Sequence, residues 1–198
     1  MRKEKRGPAK HISKIDGLRV VLCCDTDSNL ADWKIELQRS RVELTHMWPP
    51  PQRLSGEIDV LICEYMPQMS DFIPWMPGDA EAALVVLLPQ SQKYDERILL
   101  AAAPQSVLQR PFPPSFLPVT VKVAWNQFRY ERRLNDRISR LDENLRAIRD
   151  VERAKLIIMA EKKLGEEAAY RHLRELAMQR QVTIATLATS IVHNPILP

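Results

Sequence analysis

The sequence predicts an α/β half followed by an all-α half: a doubly wound parallel sheet, then a long coiled-coil helix and a C-terminal three-helix module. Three observations lead there. Of 15 prolines, 11 lie between Pro49 and Pro114, and none occurs from Val119 to Asn194, a stretch with one glycine, Gly165. Proline costs about 3 kcal/mol inside a helix, so the second half permits long helices and the first reads as short elements with frequent turns. The runs Val20-Val-Leu-Cys-Cys24 and Val60-Leu-Ile-Cys63 are apolar without alternation, as in strands buried on both faces. Finally, Leu134, Leu141 and Ile148 recur every seven residues, with Ile138 and Leu145 between them at a/d spacing.

In chain order, strands are expected at 18–24, 42–47, 58–63, 83–88 and 106–108. Helices fit between them at 28–38, where Leu30, Trp33 and Leu37 share a face, and more weakly at 95–102. Residues 67–78 hold three prolines, so that crossover is expected to be irregular. Nothing breaks a helix from Val119 to about Glu161. The seam Leu134, Ile138, Leu141, Leu145 and Ile148 predicts a coiled-coil homodimer, flanked by Arg and Asp, with Glu131 and Glu152 at the a positions beyond it. Two shorter helices follow. One opens at Gly165-Glu-Glu, with the stripe Ala169, Leu173, Leu176 and Ala177; the other opens after Thr183, with Ile184, Leu187, Ala188, Ile191 and Val192. The divisions read from this are a basic flexible tail at 1–14, an α/β domain at 15–117, the coiled-coil helix at 118–150 and the helical module at 151–198.

Composition narrows the function. Hydrophobic residues make up 45% and charged ones 27%, the balance of a globular protein. The longest apolar run, residues 82–88, is far short of the roughly 20 residues of a membrane span, and no secretory signal is visible. The three cysteines make no disulfide framework, so a cytoplasmic location is expected. Residues 129–180 carry 14 basic and 10 acidic groups, whereas residues 18–128 carry 9 and 13, so a polyanion would meet the second half. His11, His46, His172 and His193 lack metal-ligand spacing, and five scattered glycines make no phosphate loop. No cofactor, metal site or nucleophile–base pattern is expected, nor is an enzyme.

The first half resembles a response-regulator receiver, through Val20-Val-Leu-Cys-Cys-Asp25, Asp59-Val-Leu-Ile-Cys-Glu-Tyr-Met-Pro67 and Val107-Leu-Gln-Arg-Pro-Phe112. Receivers hold Mg²⁺ with two adjacent acidic residues after the first strand; here Cys24-Asp25 or Asp25-Thr26 stands there. The phospho-accepting Asp lies four residues before the proline of a Met-Pro pair. That position is Cys63, or Glu64 with a one-residue slip. The usual Ser or Thr after the fourth strand is replaced by Leu87-Leu88-Pro89, and the usual Lys-Pro by Arg110-Pro111. Phosphoryl transfer needs a carboxylate, a divalent ion and a cation. Asp25, Cys63, Glu64 and Arg110 therefore form a degenerate pocket, with Glu64 either paired to Arg110 or turned to solvent. Cys24 and Cys63 are expected to lie near each other if the first and third strands pair.

Residues 148–192 are similar to the ANTAR domain, the RNA-binding module of bacterial transcription antiterminators. The likeness rests on Val151-Glu-Arg-Ala-Lys155, Ile158-Met159, Glu167-Ala-Ala-Tyr170, His172-Leu-Arg-Glu-Leu-Ala-Met178 and Ile184-x-x-Leu-Ala188. The family often has Gly after Ala-Lys, where this chain has Leu156. The resemblance implies binding to stem-loops in a leader mRNA, which prevents a terminator hairpin. Members with a degenerate receiver and a coiled coil are held inactive by a ligand-sensing partner of periplasmic-binding-protein fold, and the lost phospho-acceptor fits that. RNA loops are read by stacking and by cations. Lys155 and Arg174 match the family's recurrent positions and are the first candidates, followed by Tyr170, Arg171 and Arg180. Met159, Ala177 and Met178 match too, but their apolar character points to the core. Two alternatives stay open: a phosphorylation-dependent regulator with the same RNA output, and a dimeric protein-interaction module. A DNA-binding output is weaker, because residues 181–198 carry no charge.

Overall fold

Five parallel strands form one sheet in the order β2-β1-β3-β4-β5: β1 (Arg19–Cys23), β2 (Glu43–His46), β3 (Val60–Glu64), β4 (Ala83–Leu88) and β5 (Ser106–Gln109). The computed structural model describes residues 15–194 except 27–28, 52–53, 55–56, 74, 76–78 and 91–92. The expected basic tail, 1–14, lies outside the described residues. The chain divides into two compact units, Met1–Arg132 and Arg133–Pro198.

In the first unit, alternate residues of the central strands feed two cores. Val20, Leu22, Val60, Ile62, Val85 and Leu87 face α1 (Leu30–Arg39) and the first turns of α4 (Phe116–Lys162), meeting Leu30, Trp33, Leu37, Leu117, Val121, Ala124 and Phe128. Val21, Cys23, Leu61, Cys63, Leu84 and Val86 meet Met69, Phe72 and Ile73 of the other side, with Ile98 and Leu99 of α3 (Glu96–Ala102). Burial on both faces is why these strands lack polar alternation. Among the described residues, the irregular crossover contains only α2 (Met69–Phe72). Asp95 caps α3, its side chain accepting the Arg97 N–H at 2.8 Å.

One expectation is corrected. The register partner of Cys63 is Cys23, not Cys24. Neighbouring residues on a strand point to opposite faces, so Cys24 joins the α1-side core while Cys23 and Cys63 share the other.

Helix α4 begins at Phe116, with Pro118 in its first turn, where the missing N–H costs nothing. Its first residues belong to the sheet's core. This is why the units divide within the helix rather than at its start.

The second unit holds the remainder of α4 with α5 (Glu166–Gln179) and α6 (Ile184–His193). Residues 132–146 are exposed on every side. Beyond them, Ala154 and Ile158 pack with Ala169, Leu173 and Ala177 and with Leu187, Ala188 and Ile191. Thr183 caps α6, accepting the Thr186 N–H at 3.1 Å. The Thr189 hydroxyl donates to Asp150 at 2.8 Å, tying α6 to α4.

Candidate functional site

The strand order reverses between β1 and β3, and doubly wound sheets place their sites at the carboxyl ends of such strands. Asp25 follows β1, Glu64 ends β3 and Arg110 follows β5. Arg110 Nη1 lies 3.2 Å from Glu64 Oε1, both side chains being largely buried. The other Glu64 oxygen accepts the Asp25 N–H at 3.3 Å. The choice left open by the sequence is thus resolved: Glu64 is an ion-pair partner, not a solvated charge.

The guanidinium is held from a second side. Its central carbon lies 4.6 Å from the centroid of the Trp33 ring, which stacks on Phe112 at 5.0 Å and 9°. The Arg110–Pro111 peptide between these partners is cis. Asp25 turns its carboxylate to its own loop, where Oδ1 accepts the Thr26 N–H at 2.6 Å. Cys63 faces the α2/α3-side core and is fully buried; burial, then the neighbouring Cys23 and Glu64, push its thiol well above the ordinary range. The pocket's cation therefore already holds the Glu64 carboxylate, and the Cys63 thiol belongs to the core on the α2/α3 side. The pocket's chemistry is that of a closed ion pair.

The second unit presents the candidate nucleic-acid face. On α5, Ala169, Leu173 and Ala177 are buried. Tyr170, Arg174 and Met178 recur at i, i+4 and i+8 along an adjoining, exposed flank. Arg171 borders them, its Nη2 3.4 Å from Glu167 at i+4 spacing. Arg180 is exposed at the C-cap of α5. A ring, a guanidinium and a thioether in one row offer stacking planes and charge together.

Two expectations from the sequence change. Met178, expected in the core for its apolar character, is 69% exposed, because it shares a face with Arg174 rather than with Leu173. The i+4 spacing from Arg174 is the signal that finds it. Ala177 is buried as expected and Met159 is half-buried. Lys155, expected as a cation free to meet RNA, is only 8% exposed. Its Nζ reaches Glu152 at 2.9 Å and Glu166 at 2.8 Å. Hydrogen bonds to these two carboxylates raise its pKa, and the one from Lys155 lowers that of Glu166. Lys155 thereby fastens the end of α4 to the first turn of α5.

The seam residues Leu134, Ile138, Leu141, Leu145 and Ile148 are all exposed, from 38% at Leu134 to 61% at Leu141. No described helix is long and apolar enough to cross a membrane.

No curated protein sequence matches this chain. Among solved structures, the response regulator StyR is 16% identical, with a TM-score of 0.47 over 89% of this chain and 100% of that one. Full-length FixJ from B. japonicum is 13% identical, with a TM-score of 0.40 over 92% of this chain and 100% of that one. The fold class rests on the strand order itself. For the second unit the finding is direct: residues 139–192 match the ANTAR domain family.

Proposed function

We propose that the chain is an RNA-binding transcription antiterminator of the response-regulator type, regulatory rather than catalytic and cytoplasmic, that binds stem-loops in a leader mRNA. The observation that carries this reading is the exposed Tyr170–Arg174–Met178 row of α5, set within the segment that matches the ANTAR domain. Arg174 supplies a planar charge, Tyr170 a stacking surface, and Arg171 and Arg180 flanking cations. Lys155 acts as a positioning residue, fixing α5 through Glu166.

The Glu64–Arg110 pair supports control by something other than phosphate, since the cation a phosphoryl group would need already holds a carboxylate. The layout we read is that of the amidase-operon antiterminator AmiR: degenerate receiver at 15–117, coiled coil at 118–150, ANTAR module at 151–198. On that reading a ligand-sensing protein of periplasmic-binding-protein fold is the negative regulator, and the active species is a homodimer joined through the coiled coil. Incubation with a small phosphodonor and Mg²⁺ tests the control. The intact mass should stay unchanged, and a stoichiometric gain of one acid-labile phosphate would contradict it.

A further inference from the structure

A cleft of about 460 Å³ lies at the amino ends of β1, β3 and β4, at the other end of the sheet from Glu64 and Arg110. That volume falls within the range of small-molecule sites. One wall is apolar: Leu54, Ile58 and Trp75 are half-buried and pack on the α2/α3-side core. A second wall carries charges that already satisfy one another. Arg19 opens β1 and forms ion pairs with Glu57 and, at 3.2 Å, with Asp59. Asp59 also accepts the Arg19 backbone N–H at 2.8 Å, which fixes this group to the strand ends.

Two further charges line the cleft. Glu81 precedes β4 and Arg132 lies on α4; both are exposed, and neither makes an ion pair among the described residues. They share the cleft without reaching each other. The backbone near each is anchored. The Ala83 N–H donates to the Asp59 carbonyl at 3.0 Å. Glu131, next to Arg132, accepts from Gln127 at 2.8 Å and from Gln105 at 3.0 Å, and Gln105 in turn accepts the Leu84 N–H at 2.8 Å. The lining thus holds three carboxylates and two guanidiniums. A ligand with only a negative charge is repelled by the excess carboxylate, and one with only a positive charge is left facing Arg132. A ligand carrying both charges on an apolar body satisfies Glu81, Arg132 and the Trp75 ring together.

We infer that the cleft binds a zwitterionic α-amino acid with an apolar side chain. Arg132 takes its carboxylate, Glu81 its ammonium group, and its side chain lies against Trp75. The site is separate from the RNA face of α5 and does not rest on it.

Isothermal titration of the full chain with L-phenylalanine tests this. The Kd should be about 0.05–2 mM, the range for a ligand of this size. Glu81→Gln and Arg132→Gln should each weaken binding roughly 2–6-fold, as for partly exposed ion pairs, and Trp75→Leu roughly 2–12-fold. Phenethylamine lacks the carboxylate, so it should lose affinity in Glu81→Gln and gain it in Arg132→Gln. Hydrocinnamate lacks the ammonium group and should show the reverse. The two charge variants should unfold in urea as wild type does, by tryptophan fluorescence, because each alters an exposed side chain. No binding of phenylalanine well above that concentration range would overturn the inference. Binding unaltered in both charge variants would place the ligand elsewhere and overturn it as well. Phenethylamine bound as tightly as phenylalanine, with no loss of phenylalanine binding in Arg132→Gln, would make the cleft a site for cations and exclude the zwitterion.

Discussion

Breaking the Glu64–Arg110 pair should destabilise the first unit, and the geometry sets the scale. Over 3.2 Å two unit charges attract by about 5 kcal/mol at an effective dielectric of 20 and by about 1 kcal/mol in bulk water. The side chains are 19% and 15% exposed, so the pair sits nearer the buried limit. There, removal of one partner costs about 3–5 kcal/mol, against about 0–1 kcal/mol at the surface. Allowing for the remaining solvent contact, Glu64→Leu should cost about 1–3 kcal/mol. Glu64→Gln keeps one acceptor oxygen, for either Arg110 or the Asp25 N–H, and turns an amide donor toward the other, so it should cost about 1–2 kcal/mol. Arg110→Met additionally gives up the cation–π contact with Trp33, worth about 0.5–2 kcal/mol. All four tryptophans, Trp33, Trp48, Trp75 and Trp125, precede Arg133, so tryptophan fluorescence in urea follows the first unit within the full chain. The Glu64→Gln/Arg110→Met cycle should give a coupling of about 1–2 kcal/mol. A coupling below about 0.3 kcal/mol would mean that the two charges do not support each other, and the closed-pocket argument would fall.

Other consequences are as direct. Burial alone would raise the Asp59 carboxyl, but hydrogen bonds from the Arg19 side chain and backbone, with the Arg19 charge, outweigh it and hold the carboxyl below its ordinary value. A depressed folded pKa gives stability that is present above the unfolded value, about 3.9, and is lost as pH falls through the folded one. Asp59→Asn should therefore flatten the acid limb of the unfolding curve below about pH 4; an unaltered limb would exclude Asp59 as its source. Cys23, pushed up to about 11 mainly by burial, and Cys63, pushed higher, should react with a thiol reagent only as the protein unfolds; reaction in native buffer would contradict the packed α2/α3-side core. Lys155→Ala should lower the melting temperature of the second unit, followed by helical circular dichroism, and leave the salt slope of RNA binding at its wild-type value. A lowered slope would make Lys155 a phosphate contact.

The elements whose burial follows a simple period could be read directly. The strands 83–88 and 106–108 agree with β4 and β5 to within a residue, and Leu30, Trp33 and Leu37 lie on the buried face of α1. What could not be read depends on register or on neighbours far along the chain. Whether Glu64 meets Arg110 is decided by which strands adjoin and by which face the last residue of β3 points to, and a one-residue slip would exchange it for Cys63. The pairing of Cys63 with Cys23 turns on the same one-residue difference. Lys155 has the sequence signature of a solvated cation because its second carboxylate, Glu166, lies eleven residues on, across the turn between helices. Met178 resembles a core residue only when residue type is weighed above its position opposite Leu173. Proline content locates the change from α/β to all-α composition, but not the packing of the first turns of α4 on the sheet, which depends on Leu117, Val121, Ala124 and Phe128.

The central claim is that the α5 face reads RNA. It is tested most directly by titrating the full chain against the leader transcript of the operon that encodes it, at several salt concentrations, with wild type and Arg174→Ala side by side. The wild type should bind, and the variant should bind more weakly, its log–log salt slope reduced by roughly 0.7–0.9 for one lost phosphate contact. Its melting temperature should be unchanged, because Arg174 is exposed and surface substitutions usually alter stability by about 0.5 kcal/mol or less. A variant that binds as tightly as wild type at every salt concentration would show that the RNA face lies elsewhere. A wild type that binds no structured leader RNA would contradict the antiterminator reading itself.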